Sequence, residues 1–404
     1  SSVLAKLTDA ATRFDEAYSP APWTKPAVAS LFTGLAPAAH RVDRIGSVLN
    51  GRALTLAEAL REAGYHTAAF TFNPHVTRRA GFDQGFDEFV SHRGPAGTAP
   101  DVRDMTRAAL AWIGEESRAP FFLYLQPMNV HGPYRVPEDA QGVLLGRPPA
   151  KDFQFFGPLM RAILNEGETE RRREVTPAFL RSMNERYDTA VRHSAEELAR
   201  FFADLDAAGL WRDSLVVLAS DHGEELFDHG GFSHRYSLYR EVLRVPLFVK
   251  LPGDSPKRVV AEPVSLTDLY ATLLELSGEP SSGTSLAPFL RGELPVPDSL
   301  RDRSLVASVL NPNRCQARAV RKGRHSLLVV DRNYEGVEDG VSLYDVVADP
   351  RETRDLRSSE PERAAALRRE LDRSLGRAAR SALPRASFEI DSKERSALEA
   401  LGYF

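Results

Sequence analysis

Three polar clusters in this chain sit where an extended or apolar run ends, and their residue types suit anion and metal chemistry. Thr24 and Lys25 lie within SPAPWTKPAVASLFTG (19–34), Asn129 and His131 follow the FFLYL run, and Asp221 and His222 follow SLVVLAS. His229, His234, Arg235 and Tyr236 come next, in FDHGGFSHRYSLY. An adjacent Asp and His can offer a carboxylate oxygen and an imidazole nitrogen to a divalent cation. The following dozen residues add Glu224, Glu225, His229 and His234, which strengthens that reading. In the first cluster, Pro26 suits a first helical position and Gly34 a helix stop. Thr24 and Lys25 then stand at the positive end of a helix, where anions bind. Plainer roles stay open for each residue taken alone. Thr24 makes a good N-cap, Lys25 a solvated charge, Asp221 a turn cap, and His131 a turn residue before Gly-Pro. His40, His66, His75 and His193 are read as structural or surface residues.

The elements that must position these groups alternate between helix and strand. Residues 4–18 read as a helix and a short strand, and 54–73 as a helix, a stop at Gly64 and a buried strand. Residues 101–117 are helical, 120–134 an apolar strand running into a polar loop, and 184–210 a long amphipathic helix. A strand follows at 214–225, another at 244–253, and a helix at 265–278. Residues 135–175 carry charge and proline and read as a surface insertion. This order predicts an α/β fold with a mainly parallel sheet flanked by helices, its strands covered on both faces. In such sheets ligands bind beyond the carboxyl ends of the strands, where all three clusters fall. The pattern changes near 290. A linker-like PVPDSLRDRS, short strands and a charged helix (360–379) predict a smaller α+β subdomain. The expected organisation is a catalytic-type unit over 1–290 and a subdomain over 291–404.

Composition narrows the class. With 52 basic and 56 acidic residues the net charge is −4, which gives no broad drive toward nucleic acid or anionic membrane. A single cysteine, Cys315, excludes an intramolecular disulfide and a thiolate metal cluster. No apolar run reaches the roughly 18–20 residues of a membrane span. The chain opens SSVLAKL, with no initiator Met and no signal peptide, so it is expected to be a fragment of a longer protein.

Taken together the segments resemble the sulfatase family of the alkaline-phosphatase superfamily, in order and over nearly the whole chain. FDEAYSPAPWTKPAVASLFTGLAPAAHRV resembles its nucleophile segment, and GYHTAAFTFNPHVTRRAGFDQGFDEF the strand and loop that follow. PFFLYLQPMNVHGPY resembles the strand bearing a substrate-side histidine, and VVLASDHGEELFDHGGFSHRYSLYREVLRVPLFV the second metal-ligand segment. VSLTDLYATLLELSG and GTSLAPFL resemble the closing helix and loop, and SLYDVVADPRETRDL and ALEALGYF the C-terminal subdomain. The resemblance implies attack on a sulfate or phosphate ester beside one divalent cation (Ca, Mn, Mg or Zn). It implies Thr24 as nucleophile, with Asp221, His222 and Thr24 on the cation. It also implies His131 and Arg235 as catalytic groups on the ester, and Lys25, His229 and His234 as substrate-binding groups. The implied substrate is a small-molecule, glycan or lipid ester. Nucleic acid is not an expected partner, and the oligomeric state is left open. An exported or membrane-tethered location follows if an upstream segment carries a signal or anchor.

Three positions depart from the family pattern. Thr24 and Val28 stand where the family has a Cys or Ser, converted to formylglycine, and an Arg. Threonine nucleophiles occur in relatives that transfer phosphoethanolamine or phosphoglycerol groups, which makes a transferase a second reading. The family's first strand, with its acidic ligands, is expected upstream of residue 1; a sheet without it would show two open strand edges and would suit a non-catalytic binding role. GYHTAAFTFNPH replaces the arylsulfatase GKWHLG segment, which removes an anion-binding lysine.

Overall fold

The computed structural model of the protein describes residues 4–91, 101–114, 119–134, 136–137, 175–234, 236–253, 257–293, 298–311, 315–332, 340–392, 395 and 398. In chain order its main elements begin with α1 (Ala5–Thr8), β1 (Thr12–Tyr18), α2 (Thr24–Thr33), α3 (Leu56–Glu62), β2 (His66–Thr71) and β3 (Glu88–Ser91). Next come α4 (Val102–Gly114), β4 (Phe121–Gln126), α5 (Pro177–Ala207), β5 (Val216–Ala219), β6 (Arg244–Lys250), β7 (Arg258–Val260), β8 (Val264–Ser265) and α6 (Asp268–Leu276). The C-terminal part adds β9 (Ser304–Asn311), β10 (Cys315–Lys322), β11 (His325–Arg332), β12 (Gly340–Asp345) and α7 (Pro361–Arg380).

The α/β expectation holds. One sheet, ordered β3-β2-β4, is parallel throughout. A second is ordered β7-β1-β6-β5, with β8 also on β1. Here β6 is the exception to the parallel rule, running antiparallel to both β1 and β5. Among the described residues β4 and β5 are each paired along one edge, and their apolar side chains are partly exposed. By contrast β2, paired on both sides, is buried from Thr67 to Thr71. Both edge strands pack into one apolar cluster with Phe70, Met105, Trp112 and Phe202. The two half-sheets are thus joined by side chains at the β4 and β5 edges, and the ends of both strands open on the same polar loops.

Local chemistry explains the helix boundaries near those loops. The α2 helix begins at Thr24, two residues before Pro26, and its N-cap is Trp23, whose extended backbone caps no N–H with a side chain. The predicted capping role of Thr24 is therefore not used, and its hydroxyl is left for other contacts. Gly34, at φ 68°, ends the helix as expected. The long helix starts earlier than the amphipathic pattern indicated, at Pro177, because Thr176 caps the Phe179 N–H at 3.1 Å and proline fits the first turn. The expected insertion at 135–175 lies almost wholly outside the described residues, as does most of the terminal ALEALGYF segment.

In the C-terminal part β9, β10, β11 and β12 form one antiparallel sheet in sequence order, with α7 across one face through Leu367 and Leu371. The linker-like stretch contains a short helix, Asp298–Arg301, before β9. The other face of this sheet shares a core with the first part: Leu305, Ala317 and Leu328 pack with Tyr18, Trp23, Tyr134 and Phe232. The start of the nucleophile-type segment is therefore held by both parts of the chain.

Candidate active site

Thr24 is 1% exposed, and its hydroxyl sits between two side chains. The Asn73 amide donates to Thr24 Oγ1 at 3.2 Å, and Thr24 Oγ1 lies 3.2 Å from His222 Nε2. The roles can be assigned. Asn73 Oδ1 accepts the His75 N–H at 2.8 Å, so Nδ2 is the end that faces Thr24. His222 Nδ1 is 2.8 Å from the Gly223 carbonyl, which can only accept, so Nδ1 carries a proton, and in the neutral ring Nε2 holds the lone pair. The Thr24 hydroxyl accordingly accepts from Asn73 and donates to His222. Gly223 holds the imidazole in place: its N–H bonds Val242 O at 2.7 Å, and a Cβ there would lie 2.0 Å from Glu241 O.

Asp221 completes this corner, with Oδ2 3.7 Å from His222 Nε2 and 3.5 Å from the donating Gln126 Nε2. Thr71 Oγ1 bonds Gln126 Oε1 at 3.2 Å and fixes the amide orientation. A carboxylate oxygen, an imidazole lone pair and a hydroxyl oxygen thus converge from β5 and α2. That mixed oxygen and nitrogen set fits a divalent cation. The Nδ1–H to carbonyl bond of His222 is the outer contact usual for a ligating histidine.

A second histidine group adjoins the first. The His234 ring lies 4.2 Å from that of His222 and 5.0 Å from that of His131, centroid to centroid. His234 Nδ1 is 3.1 Å from Glu224 Oε1. Burial pushes the Glu224 carboxyl up to about 7, against the pull of His131 and His222 and of hydrogen bonds from Ser233 and Tyr134. Burial, helped by His234, lowers His131 to about 4, and its Nδ1 is 2.7 Å from Gly132 O. His131 therefore presents an unprotonated Nε2 at neutral pH. Tyr134 supports Glu224 from a left-handed backbone, φ 55°, that tyrosine rarely adopts.

Of the expected site residues, the structure brings Thr24, His131, Asp221, His222 and His234 together. Lys25 goes elsewhere: it is 1% exposed, and its ammonium donates to Ile45 O at 2.5 Å and lies 5.1 Å over the Phe388 ring. The expected substrate lysine is thus an ammonium already held by protein groups. His229 belongs to a neighbouring cluster, with Nδ1 2.7 Å from Glu241 Oε1 and its ring stacked 3.6 Å from Tyr239. The ligand atoms of Glu225, His229 and Glu241 lie within 4.8 Å of one another, a second group able to hold a cation. Arg235 lies outside the described residues. Asn129 is structural: it accepts the Val102 N–H at 3.0 Å and donates to Asp101 at 2.8 Å, tying the β4 loop to α4. His193 joins that link, 2.9 Å from Asp101, and His40 is buried against Ser30, as their structural reading required.

Sequence reading missed Asn73 and Gln126, and it did not separate Glu224 from Glu225. The available signal was position. Asn73 stands in the segment that differs from GKWHLG, two residues beyond β2, and Gln126 ends β4.

The profile of the Sulfatase family matches residues 2–279. A sulfatase of Formosa agariphila is 23% identical over 86% of this chain and 76% of its own length. The multifunctional alkaline phosphatase superfamily protein PehA of Trinickia caryophylli is 27% identical, over 66% of each chain, so this chain spans just under two thirds of that relative. The solved phosphonate monoester hydrolase of Agrobacterium radiobacter superposes with a TM-score of 0.73 at 21% identity, covering 97% of this chain and 93% of that one, and shares the fold. With the family profile spanning more than half of the residues, the chain belongs to the sulfatase family of the alkaline-phosphatase superfamily.

Proposed function

We propose that the protein cleaves a sulfate ester or a related phosphate ester with Thr24 as the nucleophile. The observation that carries this reading is the buried hydroxyl at the start of α2, donating to an imidazole lone pair and accepting from a fixed amide. Thr24 Oγ1 attacks sulfur or phosphorus, forming the Oγ1–S or Oγ1–P bond as the bond to the leaving oxygen breaks. The His222 lone pair is aimed to take the hydroxyl proton. A divalent cation held by Asp221, His222 and Thr24 would occupy that lone pair and lower the hydroxyl's pKa instead, while polarising the ester oxygens. His131 is the candidate to protonate the leaving oxygen. An anionic ester beside it favours its second proton, and Glu224, protonated up to about pH 7, is a neighbouring proton source. Arg235 and His234 are the proposed anion contacts. Water then releases sulfate or phosphate from Thr24.

Transfer to an acceptor alcohol is the second reading. It is favoured by threonine itself, since a threonine hydroxyl attacks phosphorus directly and leaves a phosphothreonine. The PehA relative and the phosphonate monoester hydrolase fold neighbour support including phosphorus esters in the test. The test is turnover of an aryl sulfate, a phosphate diester and a phosphonate monoester, with intact-mass analysis of the stalled enzyme. The expected result is turnover of at least one class. Thr24→Ala should cost on the order of 10⁴-fold or more, as for loss of a nucleophile. Full turnover by Thr24→Ala would remove Thr24 from this role. A phosphothreonine adduct that discharges to alcohols faster than to water would favour the transferase.

A further inference from the structure

A small cavity of about 30 Å³ lies away from the site just described, between the end of β1 and the C-terminal sheet. Tyr18, Arg240, Arg321 and Glu352 line it, with Leu305 and Ala319 as apolar walls. Since one water needs roughly 10–15 Å³ on this measure, the space suits one monoatomic ion or two waters.

Its polar lining is unbalanced. Arg240 Nε, Arg321 Nε and Arg321 Nη1 are buried N–H groups with no acceptor among the described residues. The Arg321 side chain is 10% exposed. Among the described residues, no side-chain oxygen of the cavity lining is buried without a partner. A buried polar group left unpaired is costly, so such groups normally mark a water or an ion. A single water accepts two hydrogen bonds, whereas a monoatomic anion can accept from all three of these N–H groups. A ligand that only accepts matches the lining better.

The charges agree. Glu16 takes Arg240 Nη2 at 2.6 Å, Arg244 Nε at 3.3 Å and Arg321 Nη2 at 2.8 Å, together with the Tyr18 hydroxyl at 2.6 Å. Both Glu16 oxygens are thus engaged. Glu352 accepts the Arg240 backbone N–H at 2.7 Å. Of the charged residues that line the cavity itself, two are arginines, Arg240 and Arg321, and one is a glutamate, Glu352. The Arg321 guanidinium also stacks 4.8 Å over the Tyr18 ring, which fixes its direction.

We propose that this cavity is a binding site for one small monovalent inorganic anion, of chloride size, that clips the C-terminal sheet to the β1 end leading into the Thr24 segment. The site is independent of the ester chemistry. Thermal unfolding of the whole protein, dialysed into sodium gluconate and titrated with chloride or bromide at constant ionic strength, tests it. Gluconate is too large for the cavity. The expected result is a saturable rise in Tm of roughly 1–2 °C at ten times the dissociation constant. Bromide crystals should give an anomalous peak beside Arg321, and Arg321→Met should lose the halide response. If Arg321→Met does not fold, the halide series and the bromide peak of the unaltered protein decide the matter. Equal Tm in gluconate and chloride, or a cavity without a bromide peak, overturns the proposal in favour of water.

Discussion

Glu224 and Glu225 are neighbours in sequence, each beside a histidine, yet they build opposite kinds of cluster. On the Glu224 side, burial drives groups toward neutrality, with the carboxyl pushed up to about 7 and His131 down to about 4. On the Glu225 side, burial alone would lower His229. Its hydrogen bond with Glu241 and the charges of Glu241 and Glu225 outweigh that and raise it to about 9. That imidazolium is paired on one side, stacked on Tyr239, and 3.4 Å from the Glu352 carbonyl on the other. The first cluster is poor in charge, so an incoming anion or cation finds groups able to respond. The second neutralises itself and acts as a clasp between the 225–231 turn, the Arg240–Leu243 helix and the loop at Glu352. The residue types are the same; partner geometry separates the two.

The largest test of this contrast concerns where a cation binds. Asp221→Asn removes a charged oxygen from the Thr24 corner and should reduce turnover by more than the roughly 10–100-fold that outer-shell partners of a metal cost. Chelation should abolish the same activity and added cation restore it, with unfolding temperature changed little. Stoichiometric metal analysis of Asp221→Asn and of a Glu241→Gln variant distinguishes the two clusters. Loss of bound cation in Glu241→Gln but not in Asp221→Asn would reverse the comparison and assign the metal to the Glu225, His229 and Glu241 group.

Asn73 sharpens the contrast from the side of the nucleophile. Asn73→Ala leaves the Thr24 hydroxyl without its fixed donor, so the hydroxyl can rotate away from His222. The expected loss is about tenfold in kcat with KM nearly unchanged, the equivalent of one buried hydrogen bond of ~1–1.5 kcal/mol. Asn73→Asp should cost more, because it places an acceptor where a donor faces Thr24. Equal kcat in all three proteins would make Asn73 a packing residue.

Much of this was legible in the sequence because motif positions fall at the ends of β1, β4 and β5, where an α/β fold gathers polar groups. Thr24, His131, Asp221, His222 and His234 meet there. The misplacements have physical causes. Lys25 follows Thr24 but points about a third of a turn away on α2, toward Ile45 and Phe388. His229 and His234 lie five residues apart in one histidine-rich loop, and nothing in their spacing says which faces the site. The Glu225–Leu226 and Phe232–Ser233 hairpin decides it, through pairing that composition does not encode. Asn73 carries no motif weight; its role depends on β2 lying parallel beside β4. The antiparallel course of β6 was likewise unreadable, since an apolar strand has the same pattern in either direction.

The smallest expected effect tests the clasp itself. His229 has a folded-state pKa of about 9, above its ordinary 6.5, so folding favours its protonated form. Its contribution to stability is therefore complete below pH 6.5 and is lost as pH rises through about 9. His229→Gln keeps a donor but no charge. It should lower Tm by roughly 2–3 °C at pH 6, the scale of one charge-assisted hydrogen bond in a chain of this size. The gap to the unaltered protein should narrow steadily and close above pH 9. Turnover per folded molecule should stay within about twofold, because His229 touches neither Thr24 nor His222 and acts only through the loop it fastens. A Tm gap that does not vary with pH would show that the imidazole contributes by packing on Tyr239 alone. A fall in turnover matching that of Asp221→Asn would return His229 to the substrate-binding role its sequence position first suggested.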